Sequence, residues 1–162
     1  MQFQDPSVES VLDSIRRIVR WLRVFSRKSE KDHGLSAAQL FVLQKLDARR
    51  GVSVNEIAER TLTHQSSASV VVSRLVERGL AVRAQSAEDR RRTEIRLSKK
   101  GQAILRNAPE PVQERLVAAV RSLPSRERHE LARLLSKVLI AARLDRTPAS
   151  LFFEEEGVPH EK

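Results

Sequence analysis

Residues 8–31 place Val8, Val11, Leu12, Ile15, Ile18, Val19, Leu22 and Phe25 at the i, i+3, i+4, i+7 spacing of an amphipathic helix. Arg16, Arg17, Arg20, Arg23 and Arg27 fall mostly off that stripe. Gly34 is a natural stop, because glycine takes the left-handed conformation that closes a helix. Ser36-Ala-Ala-Gln39 then fits a capping box. The second helix it opens is expected to reach about Ala48, with Leu40, Val42, Leu43 and Leu46 inward and Arg49-Arg50-Gly51 ending it.

Ser53-Val-Asn-Glu56 is a second capping box and predicts a short third helix to about Arg60. A fourth helix is expected from Thr63 or His64, with Ala68, Val71, Val72, Leu75 and Val76 on its apolar positions and Gly79 at its end. Leu80–Ala84 is a strand candidate, Ser86–Arg92 a polar loop, and Thr93–Leu97 a returning strand with Ile95 and Leu97 on one side. Ser98 can cap a fifth helix, whose pattern Pro109 and Pro111 interrupt with a kink or break. Val112, Leu116, Val117 and Val120 continue its stripe. A last helix over Arg126–Arg143 turns Leu131, Leu134, Leu135, Val138, Leu139 and Ala142 to one side, and the chain from Thr147 onward reads as a mostly solvated tail. The expected order is α-α-α-α-β-β-α-α, a mainly α (α+β) fold. The stripes of the first and last helices are too extensive for the small central unit to cover, so pairing with a second copy is the simplest way to bury them.

Charge narrows the choice of partner. The chain has 162 residues and a net charge of +9. Residues 1–52 carry +4, residues 53–100 carry +4 and residues 101–162 carry +1, so the excess sits in the first two thirds. A basic balance points to a polyanion, either nucleic acid or an anionic membrane surface. Abundant arginine throughout the chain is the plainer reading of the same count. No apolar run approaches the roughly 20 residues of a membrane span. The start MQFQDPSVES lacks the pattern of a secretory signal, and that favours the cytoplasm. With no cysteine, disulfides and thiol-based sensing are out of reach.

The chemistry concentrates in residues 53–101. Two helices joined by a few residues suit a helix-turn-helix, whose second helix enters the DNA major groove. The outward N-terminal face of that helix holds Gln65, Ser66, Ser67, Ser69 and Val70. Small donor–acceptor side chains permit close approach to base edges, and Gln can pair with adenine. Helix N-terminal N–H groups also suit phosphate. The loop Glu88-Asp89-Arg90-Arg91-Arg92 gathers three guanidinium groups at a turn, which suits phosphate pairing and insertion into a narrow minor groove. The plainer alternatives are a solvated charge run at Arg90–Arg92, simple helix-start serines, and an Arg74 paired with Glu77.

SRLVERGLAVR (73–83) and DRRRTEIRLSKKG (89–101) together resemble the MarR family of winged helix-turn-helix transcriptional regulators. Asp89, Arg91, Ile95, Leu97, Ser98 and Gly101 stand in register with that family's Asp-x-Arg, apolar-x-Leu-Thr/Ser-x-x-Gly pattern. The likeness covers roughly 34–101 by motif, and the flanking helices by order and length. It implies a homodimer with residues 1–33 as an N-terminal dimerisation helix, 34–101 as the DNA-binding module, 102–146 as C-terminal dimerisation helices and 147–162 as a tail. It implies double-stranded DNA with a pseudo-palindromic operator as partner, and a repressor as the regulator type. By the same resemblance Arg91 is the wing-tip residue of the minor groove, Asp89 orients the wing, and Arg90, Arg92 and Arg74 are phosphate contacts. Family members often answer to small anionic or phenolic compounds, and Arg20, Trp21, Phe25 and Phe41 are candidates for lining such a cleft. The three aromatic residues also read as core or interface packing.

No Gly-rich phosphate loop, GxSxG elbow or HExxH occurs, so an enzyme is not expected. No cofactor is implied. His33, His64, His129 and His160 lack paired ligand spacing, so no metal site is expected. The competing functional classes are a sequence-nonspecific architectural DNA binder held by charge, and a basic membrane-surface protein.

Overall fold

The computed structural model describes residues 5–86, 89, 91–147, 149 and 151. Its first element starts where the sequence supplies a cap. The Asp5 carboxylate accepts a 2.8 Å hydrogen bond from the Ser7 N–H, and Pro6 fills the first turn, where a missing N–H costs nothing. Helix α1 (Pro6–His33) ends at Gly34, which takes φ 66°. Helix α2 (Ala37–Leu43) opens on the reciprocal Ser36/Gln39 box, with both bonds formed.

Helix α2 stops short of the expected Ala48. The Lys45 and Leu46 N–H groups turn to the carbonyls three residues back. The Asp47 carboxylate takes the N–H groups of Arg49 and Arg50 at 2.6 and 3.2 Å. Those bonds hold Asp47 below the usual carboxylate range. A side-chain turn of this kind offers the backbone an alternative to another helical turn, and here it prevails.

Helices α3 (Val54–Thr61) and α4 (Gln65–Glu77) follow, joined through Leu62, which sits in the left-handed region at φ 53°. Strands β1 (Ala81–Gln85) and β2 (Thr93–Leu97) pair antiparallel, Ala81 opposite Leu97 and Gln85 opposite Thr93. Val52 bridges to Ile95 from outside the hairpin, with N–H···O bonds of 3.0 and 2.8 Å, and so ties the chain before α3 to the wing.

After the wing come α5 (Lys99–Leu105), α6 (Val112–Ser122) and α7 (Ser125–Ala141). The expected single interrupted helix is therefore two, and the order gains one helix. Pro109 and Pro111 lie in the gap, where proline's missing N–H and its restriction of the preceding residue end one helix and allow the next to begin.

The core gathers Leu35, Leu40, Leu43, Ile57, Val71, Val72, Leu75, Leu80 and Ile95, each no more than 1% exposed. Leu151 joins them, which corrects the reading of the tail as solvated at that residue; most of the tail lies outside the described residues. Ile57→Val removes one buried methylene and is expected to cost about 1 kcal/mol, read as a lower urea midpoint at unchanged slope. The apolar face of α1 remains uncovered, with Val8, Val11, Leu12, Ile15, Ile18 and Val19 all exposed. The expected inward face of α7 is likewise open: Leu131, Leu134, Leu135, Val138 and Leu139 are exposed, and no residue of α7 is buried.

Candidate nucleic-acid interface

Helix α4 is fixed from one side only. Ala68, Val71, Val72 and Leu75 are buried against the core. Gln65, Ser66 and Val70 are exposed, and Ser67, Ser69 and Arg74 are half-buried. His64 supplies the extended N-cap residue, with no cap hydrogen bond from its side chain. The helix thus presents a face of small polar groups with one apolar group, mounted on a packed apolar floor. At about 1.5 Å per residue it is long enough to lie along a groove.

The wing tip is organised by Asp89. Its Oδ1 accepts the Arg91 N–H at 3.0 Å, and its carbonyl accepts the Arg92 N–H at 2.9 Å. Arg92 Nε stands 3.7 Å from Asp89 Oδ2, and the Arg92 carbonyl accepts the Ser86 N–H at 2.9 Å. These bonds close a turn that leaves Arg91 and Arg92 exposed. Arg90 lies outside the described residues. At the wing root Glu94 is held below the usual carboxylate range, first by the Ser86 hydroxyl and then by Arg96.

Four contacts bind the wing to the end of α4. Arg83 of β1 donates to the Ser73 hydroxyl of α4 at 2.9 Å. The Ser98 hydroxyl donates to the Gly79 carbonyl at 2.7 Å, and its backbone N–H donates to the Leu80 carbonyl at 3.0 Å. Lys100 Nζ donates to the Arg78 carbonyl at 3.0 Å. The Ser98 hydroxyl also accepts the Gly101 N–H at 3.0 Å, capping α5. A Cβ at position 101 would overlap the Leu80 carbonyl oxygen and stand 2.8 Å from Leu97 Cδ1. The serine and glycine of the Leu-Ser-x-x-Gly run are therefore there for one purpose, to let α5 close onto the backbone that links α4 to β1.

Sequence reasoning missed Arg83 and Arg78. Arg78 Nη1 donates to the Gln39 amide oxygen at 2.9 Å and so ties the end of α4 to the α2 cap. No spacing rule couples a strand residue to a helix ten positions back, or a helix end to a cap thirty-nine positions away, so neither contact carried a signal. Arg49 and Arg50 share a polar cleft of about 480 Å3 with Arg92, Arg96, Glu56, Asp89 and Glu94, a neighbourhood made only by folding.

The four residues suggested for a ligand cleft are placed as follows. Arg20 is exposed. Trp21 is half-buried, with the Arg115 guanidinium of α6 5.3 Å from its ring centroid. Phe25 packs against the core. Phe41 is buried, with Lys45 Nζ 5.1 Å from its ring centroid. Lys45 also pairs with Glu114 of α6. Burial pushes the Lys45 ammonium's pKa down, and repulsion from Arg60 and Arg121 pushes the same way. These contacts join α1 and the segment just after α2 to α6.

A helix-turn-helix followed by an antiparallel hairpin locked to the second helix defines a winged helix-turn-helix protein. The comparisons agree. The model of the MarR family matches residues 33–92. The HTH-type transcriptional repressor MdtR of Bacillus subtilis (strain 168) is 28% identical over 101 residues, covering 62% of this chain and 65% of that protein, just under two thirds of its length. The crystal structure of the transcriptional regulator BldR from Sulfolobus solfataricus superposes with a TM-score of 0.53 at 25% identity, covering 87% of this chain and 99% of that one. That of a MepR-like protein complexed with pseudoligands gives 0.52 at 25% identity, covering 87% and 97%. Over residues 33–92 the chain is thus similar to the MarR family, and the relatives named here are transcription regulators.

Proposed function

We propose that the protein is a homodimeric, sequence-specific DNA-binding repressor, acting in the cytoplasm and released from its operator by a small molecule. The observation that carries this reading is the arrangement of α4 and the wing. The Gln65–Val70 face points outward from an apolar floor, and Asp89 holds Arg91 and Arg92 outward on a hairpin pinned to the same helix. The helix reads base edges in the major groove, and the arginines meet the minor groove and phosphates. The uncovered apolar faces of α1 and α7 support a dimer formed through them. Two-fold symmetry then asks for a pseudo-palindromic operator. The likeness to a named repressor supports the sign of regulation, and the likeness to a protein crystallised with pseudoligands supports an effector.

Gln65→Ala and Ser69→Ala test the reading. Each is expected to change which duplexes a randomised pool yields, with about 1–3 kcal/mol lost on the preferred base at the contacted position. A uniform loss across all sequences would instead mark both as backbone contacts and favour an architectural binder held by charge.

A further inference from the structure

The wing root carries two arginines that the hairpin itself does not supply. Arg49 and Arg50 follow Asp47 in the turn after α2, and both are exposed. That turn is pinned at several points. The Asp47 carboxylate takes the N–H groups of both arginines, at 2.6 and 3.2 Å. The Asp47 carbonyl accepts the Leu97 N–H of β2 at 2.9 Å, and Val52 bridges to Ile95 of the same strand. Gly51 lies against Glu94, whose side chain a Cβ at position 51 would overlap. The two guanidinium groups therefore leave from a fixed base.

The carboxylates around them are already engaged. Glu56 pairs with Arg60 at 2.6 Å and stands 3.7 Å from Arg50. Glu94 is engaged by the Ser86 hydroxyl and by Arg96. Asp89 takes the Arg91 N–H and faces Arg92. The long Arg50 pair leaves that side chain 75% exposed, and such a pair contributes little. Arg49, Arg50 and Arg92 thus line one cleft of about 480 Å3 as exposed cations. Guanidinium is the side-chain group best matched to phosphate.

Placement says which phosphates. Strand β1 carries the Arg83 link to α4, whereas β2 carries the Val52 bridge on its other edge. The Arg49–Arg50 turn and α4 are therefore attached to different strands of the hairpin. A hairpin tip in a minor groove has a sugar–phosphate strand on either side. We propose that Arg49 and Arg50 bind phosphates of the duplex on the β2 side of the wing, beyond the segment that α4 and Arg91 read. These contacts carry no sequence information and lengthen the DNA that each chain covers. The proposal rests on the DNA-binding reading above and adds two residues and an outer flank to it.

The test is the salt dependence of DNA affinity for the full chain, read by fluorescence anisotropy. The probes are a duplex enriched from a randomised pool and a scrambled duplex of the same length. Arg49→Gln/Arg50→Gln keeps both backbone N–H groups that the turn uses. It is expected to flatten the slope of log affinity against log salt by roughly 1–2 for each bound chain on both duplexes. The enriched-to-scrambled ratio should stay the same. Arg49→Lys/Arg50→Lys keeps the charge and should keep the wild-type slope. Trimming the enriched duplex outside the wing contacts should weaken the wild type and leave the double Gln variant unchanged. Equal slopes in wild type and the double Gln variant, the same flattening in the double Lys variant, or trimming that weakens wild type and double Gln variant equally would each overturn the proposal. Any of these would leave the sequence-specific reading standing. A pool that enriches no motif would remove that reading, and the slopes on the scrambled duplex would still decide the role of the two arginines.

Discussion

Arg91→Ala is expected to weaken binding to the preferred duplex by about 10–100-fold while leaving the assembly state unchanged. Asp89 Oδ1 takes the Arg91 backbone N–H, which fixes the turn and leaves the guanidinium exposed. An arginine held this way enters a narrow minor groove with little further loss of freedom, and the groove's negative potential rewards it. Truncating it removes that interaction and leaves the buried core as it was. Asp89→Asn should fall between the two, because an amide oxygen can still accept the N–H but no longer attracts Arg92 across 3.7 Å. Fluorescence anisotropy at fixed salt, with sedimentation for assembly state, reads both. Unchanged affinity in Arg91→Ala would remove the wing from the DNA interface.

Gly101→Ala is expected to destabilise the fold by at least about 3 kcal/mol, through overpacking against backbone that cannot rotate away. The Leu80 carbonyl oxygen occupies the space the new methyl would need, and that carbonyl is itself engaged by the Ser98 N–H at 3.0 Å. Relief requires moving α5 away from the junction of α4 and β1. Thermal unfolding should therefore fall by roughly 10 °C for a chain of this size. DNA affinity should also drop, because the wing loses its anchor on α4. Ser98→Ala, which removes the hydroxyl bonds and adds no bulk, should cost less, about 1–2 kcal/mol. An unchanged melting temperature in Gly101→Ala would show that the close approach does not hold the wing in place.

Much of the fold was legible in the chain because its signals are local. The Ser36–Gln39 and Ser53–Glu56 caps, Gly34 and the Thr93–Leu97 alternation each depend on neighbours a few positions away, and each set the expected helix start, helix stop or strand within a residue or two. Two departures came from local competition that periodicity does not weigh. Asp47 captured the N–H groups that would have extended α2, and at the two prolines, where a kink or a break was expected, the chain breaks fully and so counts one helix more. Leu151 was illegible for a different reason: one leucine in a polar tail has no period, and its burial depends on a pocket assembled from distant segments. The same holds at the candidate interface. The outward residues of α4 and the arginine turn could be read from order and residue type. The bonds that aim them, Arg83 to Ser73 and Arg78 to Gln39, exist only once helix and strand are packed.

Two copies of α4 and the wing are expected to read one operator together. Selection of bound duplexes from a randomised pool by the full chain, followed by measurement of the ratio of chains to duplex on the enriched site, tests it most directly. Two inverted half-sites centred about one helical turn apart, or a multiple of it, are expected, bound by two chains at least about 1,000-fold more tightly than a scrambled duplex at the same salt. A pool that enriches no motif, or a preferred site saturated by a single chain, would contradict it.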